Sequence, residues 1–429
     1  MVKYICFIIS LLFVSFLSKA QFTIDGQVVQ RGEYRHGFSK LFGENDDPAA
    51  FIGQRARLQA GYKLDGLTMQ VSVQDVRVWG NTTQAKASDD FLSVHEAWAA
   101  WQFNEHWNIK AGRQELNFDN ARFLGNLDWA LQARAHDFAL MNFEKNKTKI
   151  SFGGGYNQNQ MSNTKIDYTV AGQYQNAQLF RLEQQVADLS FSLLFWNEGR
   201  QNTNLTDKPV FYRQTFGIPN LSYKFKNTMF SAFYYQQTGK NPAGKEVNAF
   251  DLSAKIVHHH ILNAEKGQKL GVAGGFEMLS GTATNESEKS SSFAPLYGTN
   301  HAHNGYMDLF YVGNHDNSVG LNDFYAKMRY DFNAKHFIQA NFHWFDAQAG
   351  VFNSASETLD AHLGKEIDFS AGYIFSPAFS LQAGYSHFLP GDTFKHLSGG
   401  SDLHKTQNWA YLMLIFRPNN KAKFIGVSL

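Results

Sequence analysis

The sequence has 429 residues, with 39 Lys and Arg against 38 Asp and Glu, a net charge of +1 and a single cysteine. Nearly balanced charge provides no global basic field, which argues against a nucleic-acid-binding protein. Mean hydropathy is −0.37, and beyond residue 20 no apolar stretch is long enough for a transmembrane helix. A transmembrane β-barrel and two or three soluble domains are both compatible with these values.

The first twenty residues predict a signal peptide. Lys3 precedes an apolar core from Ile5 to Phe16, and small residues stand at the −3 and −1 positions of a cleavage site after Ala20. The apolar run is short for a membrane anchor. Cys6 leaves with this segment, so the exported chain needs no disulfide framework. Loss of Lys3 and Lys19 leaves 37 basic against 38 acidic residues, a net charge of −1.

Residues 21–429 are predicted to form one domain built from short strands. In the first, Thr23–Arg35, charged residues at alternate positions oppose Ile24 and Val28. About eighteen segments with this alternation follow one another as far as residue 417. Aromatic residues commonly begin or end them, as the interfacial girdles of a membrane barrel would.

The predicted connections alternate between short and long. Short ones include Lys63–Gly66, Asn146–Lys147 and Lys226–Asn227, whereas long ones include 116–133 and 281–319. The pattern predicts an all-β transmembrane antiparallel barrel of about 18 strands (16–18), with short periplasmic turns and long extracellular loops. Apolar residues would then face lipid, and charged residues would face the lumen.

The charged residues predicted to face the lumen are mostly arginines in the first third of the chain. They are Arg31, Glu33, Arg35, Arg55, Arg57, Asp75, Arg77, Glu96 and Arg113. A guanidinium stays charged and matches a carboxylate in shape, so such a ladder suits many weak contacts to a polyanion. The alternative is that a wide lumen needs charged side chains only for solvation and cross-strand pairing.

The stretch Gly112–Asp137 is too long and too polar for a hairpin turn. We predict that it folds inward and helps to form an anion-selecting constriction. Arg113 would end a strand and face the lumen, Arg122 would lie on the loop, and Arg134 and Asp137 would mark the return to the barrel. The alternative is an external loop whose charges meet only water.

Several histidines are candidates for catalytic residues. The run His258–His260 is predicted to lie on a periplasmic connection, and His301 and His303 lie in the longest outer loop near Asp308. No nucleophile motif such as G-x-S-x-G accompanies them. We therefore expect no enzymatic activity, no cofactor and no metal.

Several stretches, in order, resemble the alginate-export outer-membrane porins. They are the Arg-x-Glu-x-Arg pattern at Arg31–Arg35, then Gln54–Tyr62, Gln74–Gly80, His95–Trp101, Gly112–Asp137, Phe293–Phe310, Gly320–Tyr325, Leu363–Tyr373 and Gly384–Asp392. The resemblance implies an eighteen-stranded barrel over about 22–417. The chain departs from the family pattern by continuing past its last strand, with Pro418–Leu429.

The resemblance also implies a passive channel for anionic polysaccharide such as alginate, with a constriction covered by an extracellular loop and a periplasmic turn. Its constriction residues would come from Arg31, Arg35, Arg55, Arg57, Arg77, Arg113, Arg122 and Arg134, with acidic partners Glu33, Asp75, Glu96, Asp137 and Asp323. The expected partners are outer-membrane lipid, the polysaccharide and periplasmic secretion or uptake components, with no nucleic acid. The alternative function is a general anion or sugar porin.

Overall fold

The computed structural model describes residues 21–86, 88, 90–310, 318–400, 403–404, 406–420 and 423–429. The predicted signal peptide and its cleavage after Ala20 lie outside the described residues. The described chain is built almost entirely from strands. Its only helices are a 3₁₀ turn at Asn300–Ala302 and one short α-helix, α1, at Asp392–Leu397.

Eighteen strands follow one another along the described chain. They are β1 Gln21–His36, β2 Ala49–Leu64, β3 Leu67–Val78, β4 Leu92–Gln102, β5 Trp107–Gln114, β6 His136–Lys145, β7 Thr148–Tyr156, β8 Asn176–Val186, β9 Leu189–Gln201, β10 Val210–Phe225, β11 Thr228–Lys240, β12 Glu246–Asn263, β13 Gln268–Leu279, β14 Leu321–Asp331, β15 His336–Asp346, β16 His362–Ser376, β17 Phe379–Pro390 and β18 Gln407–Phe416.

The strands form one closed antiparallel ring. Each pairs with its neighbours along the chain, and β1 pairs with both β2 and β18. The closing ladder runs from Val28 opposite Phe416 to His36 opposite Asn408. Because every strand has a neighbour on each side, the ring pairs its backbone groups without a sheet edge, as a barrel in lipid must. The predicted barrel and its strand number are confirmed.

Strand β14 illustrates how side chains divide between the two faces. Asp323 and Lys327 point inward and are buried, whereas Phe324 and Met328 at alternate positions are 50% and 54% exposed outside. An apolar outer face around a polar interior suits lipid, because charge facing hydrocarbon at the midplane costs about 2–4 kcal/mol per Lys or Arg. Within the described ranges, none of the helices has the length and apolar character needed to cross a membrane.

The connections alternate in length, as predicted. Turns at one end include Asp65–Gly66 and Asn146–Lys147, whereas connections at the other end include 115–135, 157–175 and 280–320. In outer-membrane barrels the short turns are periplasmic and the long loops extracellular. The end with the short turns is therefore called periplasmic, and the end with the long loops is called extracellular.

One sequence prediction about strand positions was wrong. His258–His260 lies on β12 and not on a periplasmic connection, because the ladder continues with His258 opposite Thr228 and His259 opposite Gly271. Residues 157–175, which precede β8, form a loop with a turn at Gly172, where φ is +71°.

Gly112 occupies a position that a side chain cannot share. Its φ is +122°, and an added Cβ would lie 2.3 Å from Ala97 O and 2.8 Å from Trp98 Cα. We expect Gly112→Ala to lower the free energy of unfolding by about 2–4 kcal/mol. Thermal unfolding in detergent measures the change. Gly274→Ala is the matched control, because its added Cβ would have only Tyr325 O nearby, at 3.9 Å. Equal melting temperatures for the two variants would contradict this account.

Candidate functional site

The connection between β5 and β6, residues 115–135, lies inside the barrel, and we call it the first inner loop. Its main-chain oxygens accept hydrogen bonds from the inner faces of three consecutive strands. Arg31 Nη1 donates to Trp129 O at 2.8 Å, Arg55 Nη1 to Leu131 O at 3.2 Å, and Gln74 Nε2 to Gln132 O at 2.8 Å. The inward position predicted for this stretch is what the structure has.

Asp128 fixes the tip of this loop between two arginines. Arg55 Nη2 donates to its Oδ1 and Arg417 Nη2 to its Oδ2, each at 2.9 Å. Burial alone would raise the pKa of Asp128, but the charges of Arg55 and Arg417 outweigh it and hold the pKa below its ordinary value. The loop is therefore held to β2 and to the end of β18 by an ionised carboxylate.

Arg31, Glu33 and Arg35 form a ladder on the inner face of β1. Glu33 accepts from Arg31 Nε at 2.8 Å and from Arg35 Nη2 at 2.9 Å. Trp409 Nε1 donates to the same carboxylate at 3.0 Å. The Glu33 side chain is 1% exposed and that of Arg35 is 33% exposed, so the charge that this ladder presents to water is positive.

Arg57 and Glu96 lie near the foot of the first inner loop. Arg57 donates through Nε and Nη2 to Gln74 Oε1, at 3.0 and 2.7 Å. Glu96 accepts from Gln70 Nε2 at 2.6 Å and from Trp98 Nε1 at 3.1 Å. Both predicted site residues thus face the lumen, and both are engaged with polar side chains of the wall.

His95, Glu96 and Glu115 bring ligand atoms within 4.8 Å of one another. Their acceptors are already used inside the protein. Glu115 takes a hydrogen bond from Asn126 Nδ2 at 3.0 Å and contacts His95 Nε2 at 2.9 Å. The group therefore acts as an anchor for the first inner loop.

Arg122 is buried where the first inner loop meets the opposite wall. Its Nε lies 3.3 Å from Asp251 Oδ2 on β12 and 2.9 Å from Glu277 Oε1 on β13. Its Nη1 and Nη2 donate to Asn300 and Asn304 at 3.1 and 2.7 Å. The sequence indicates Arg122 as a site residue but does not indicate these four partners, although the alternation along β12 and β13 places both carboxylates on the inner face.

Residues 293–310, part of the connection between β13 and β14, form a second inner loop. It covers an acidic wall, with Asn304 Nδ2 donating to Glu277 Oε2 at 2.7 Å and Met307 N to Glu366 Oε1 at 2.8 Å. The predicted acidic residue Asp323 belongs to this wall and lies 2.9 Å from His343 Nδ1. Arg134, also predicted, links the two loops by donating to Gly298 O at 3.0 Å.

The histidines of the second inner loop serve in its packing. The His301 ring stacks on Trp129 with centroids 3.9 Å apart, and its Nδ1 lies 2.8 Å from Asp308 Oδ1. His303 is buried, and burial together with the charge of Arg122 holds its pKa well below its usual range. It is therefore neutral at physiological pH.

Four predicted site residues face outward and correct the sequence prediction. On β3, Gln74 faces inward opposite Arg57. Because successive side chains of a strand point to opposite faces, Asp75 and Arg77 face the outside. Arg77 also borders the cavity at the barrel rim. Arg113 and Asp137 pair on the outer face at 2.9 Å, with side chains 43% and 53% exposed. The prediction assumed that charge always faces the lumen, but near the strand ends paired charges reach water from the outer face.

A cavity of about 510 Å³ opens beside the β1 ladder at the extracellular end. Its lining includes Arg31, Arg35, Phe38, Phe51 and Trp129. The Arg35 guanidinium lies between two rings, 4.2 Å from that of Phe38 and 4.8 Å from that of Phe51. Arg31 covers the Trp129 ring at 4.5 Å. We call this space the vestibule.

Residues 423–429, which follow β18, return into the lumen and lie against the wall near its periplasmic end. We call them the strap. The Gln382 side chain on β17 forms two hydrogen bonds with the main chain of Ile425. Its Oε1 accepts from Ile425 N at 2.9 Å, and its Nε2 donates to Ile425 O at 2.8 Å. Gln339 Nε2 on β15 donates to Ser428 O, and Lys255 Nζ on β12 donates to Leu429 O, each at 3.0 Å.

The Asp128 pair gives a prediction about pH. The pKa of Asp128 is lower in the folded protein than in the unfolded chain, where it is about 4. The ion pair therefore stabilises the loop fully at pH values above the unfolded pKa. This stabilisation is lost as the pH falls through the folded-state pKa. Single-channel conductance should hold from neutral pH to about pH 4 and change below it. Asp128→Asn should show the acid behaviour already at neutral pH, since it leaves buried arginines unpaired, at about 1–3 kcal/mol. The control variant Asp137→Asn, on the outer face, should have the conductance of the wild type. If the Asp128→Asn channel matched the wild type at every pH, the structural role given to the Asp128 ion pair would be refuted.

Several solved outer-membrane proteins share this fold. Pseudomonas aeruginosa OpdK, in a structure with vanillate, matches with a TM-score of 0.58 at 10% identity, over 92% of this chain and 98% of that chain. OccK11 (OpdR) of the same species gives 0.57 at 11%, over 92% and 95%, and Acinetobacter baumannii OccAB4 gives 0.57 at 12%, over 92% and 98%. At such identities the likeness concerns the fold alone.

The fold of these neighbours supports an outer-membrane location. No curated protein matches the sequence. A model of the family described as alginate export matches residues 21–406, nearly the whole barrel. The chain therefore belongs to the alginate-export family.

Proposed function

We propose that this outer-membrane channel passes an anionic polysaccharide of the polyuronate type by passive diffusion. The observation that carries the proposal is the sign of the charge facing water in the vestibule. There the Arg35 side chain is 33% exposed while its partner Glu33 is 1% exposed. The alginate-export family, to which the chain belongs, supports a uronate as the charged unit.

The setting of Arg35 suits brief contacts with carboxylates. Glu33 holds its Nε and Nη2 at 3.0 and 2.9 Å, and two aromatic rings flank its plane. Nη1 has no acceptor among the described residues, and the Arg35 side chain borders the vestibule. A carboxylate would meet a guanidinium already fixed in direction, so little side-chain entropy is lost on contact. Glu33 also moderates the attraction, which keeps binding weak enough for passage.

Selectivity of the vestibule should depend on the exposed guanidinium of Arg35. Arg35→Gln keeps a polar side chain and removes the charge, so we expect the anion-over-cation permeability ratio to fall by about 2- to 5-fold. Reversal potentials in a salt gradient across planar bilayers measure the ratio. Arg113→Gln removes the same charge from the outer face and should leave it unchanged. Equal reversal potentials for Arg35→Gln and wild type would remove the basis of the proposal.

A second function, a channel for small anions, is supported by a different observation. The strap and the first inner loop both occupy the lumen, which narrows the path for a polymer more than for a small carboxylate. The small-anion channel needs the same vestibule charge. The two functions therefore differ in ligand size and not in the residues that attract the ligand.

Blocking of the ion current separates the two functions. If the solute is a polyuronate, oligouronates should reduce the current while neutral dextran of similar size does not. Arg35→Gln should then weaken the block about 5- to 10-fold, the loss expected for one charge-assisted hydrogen bond. Block by small carboxylates but not by oligouronates would instead establish the small-anion channel.

A further inference from the structure

The strap is fitted to the wall by more than its hydrogen bonds to Gln339, Gln382 and Lys255. Ser380 Oγ on β17 donates to Lys423 O at 2.5 Å. The rings of Phe424 and Phe337 meet edge to face, with centroids 4.8 Å apart. Ile425 is buried. The strap thus follows the inner wall from β17 to β12 with both polar and apolar contacts.

The wall leaves room for the strap at two glycines. A Cβ on Gly372 would lie 2.4 Å from Phe424 Cε1, and one on Gly271 would lie 2.4 Å from Leu429 Cδ1. Neither glycine has a positive φ, so backbone conformation does not explain the choice of residue. A side chain at either position would collide with the strap, and at Gly372 also with Phe337 of the wall, whose Cε1 would lie 2.5 Å from the added Cβ.

The strap also meets the first inner loop. A Cβ on Gly426 would lie 2.5 Å from Trp129 Cε3, so the strap backbone packs against this ring. The loop is held in turn by β1, β2 and β3 through Arg31, Arg55 and Gln74. Contacts therefore run without a break from Lys255 on β12 to Gln74 on β3. These strands lie nine apart in a ring of eighteen, on opposite walls.

The hydrogen bonds that hold the strap can be replaced by hydrogen bonds to lumen water. None of residues 423–429 belongs to a strand, so the barrel ladder does not depend on them. The wall side chains that hold them would form hydrogen bonds with lumen water once the strap left, and such exchanges have a small net free energy. The barrel can therefore close without the strap, and the strap can leave without breaking the barrel.

We propose that residues 423–429 are a displaceable strap that restricts the lumen at its periplasmic half, and that release of the strap widens the path through the channel. The inference rests on the chain being a channel and is independent of which solute it carries. A test with simple salt therefore distinguishes its failure from failure of the polyuronate proposal.

Deletion of residues 423–429 should raise the single-channel conductance in potassium chloride by about 1.5-fold or more. Folding of the deleted protein is checked by its heat-dependent electrophoretic migration. Gln382→Ala in the full chain removes both bonds to Ile425 and should produce a larger share of time at the high-conductance level. A folded deletion variant with wild-type conductance would overturn the proposal.

A disulfide lock tests the same idea if the deleted chain does not fold. The only cysteine of the sequence, Cys6, lies in the predicted signal peptide. Two cysteines introduced into the exported chain would therefore have only each other as disulfide partners. Ser380→Cys with Lys423→Cys would tie the strap to β17 at an existing contact. The oxidised protein should lose the high-conductance level and the reduced protein should regain it. Identical records before and after reduction would show that the strap is not displaced, and would overturn the proposal.

Discussion

Pairing of buried charges between the barrel wall and the segments within it determines the interior of this protein. A ring of eighteen strands is wide enough to leave an aqueous space, and its inward side chains carry charges of both signs. The arginines of β1 and β2 hold the first inner loop, as at Arg55 and Asp128. The carboxylates of β13, β14 and β16 hold the second loop. Arg122 of the first loop reaches Asp251 on β12 and Glu277 on β13. Because an unpaired buried charge is costly, each loop position follows from the wall that faces it.

This arrangement divides the arginines into two kinds. Arg55 and Arg122 are buried and bound to carboxylates of the protein, so they shape the lumen and offer little to a solute. Arg35 is held by a buried acid yet remains partly open to water. The number of arginines in the first third of the chain therefore overstates the charge available for attraction, and their burial decides their role.

Much of the fold follows from the sequence, because alternation and loop length are local patterns. They identified the closed barrel, the strand number and the inward stretch between β5 and β6. These patterns did not distinguish the lumen face of a strand from its outer face near the rim, as for Asp75 and Arg113. There, paired charges are stable in water on either face. The patterns could not find the partners of Arg122, because Asp251 lies 129 residues further along the chain. The inward course of residues 423–429 likewise depends on long-range contacts that no local pattern records.

The Trp129 ring is shared by parts of the chain that are far apart in sequence. Arg31 of the wall covers it, His301 of the second inner loop stacks on it, and Gly426 of the strap packs against its edge. The positions of the two loops and the strap are consequently linked through one side chain. Linkage of this kind is reciprocal. If a solute in the vestibule favoured one position of the Trp129 ring, a strap position compatible with that ring position would favour solute binding by the same free energy. Opposite ends of the channel are thus connected by contacts to this one ring.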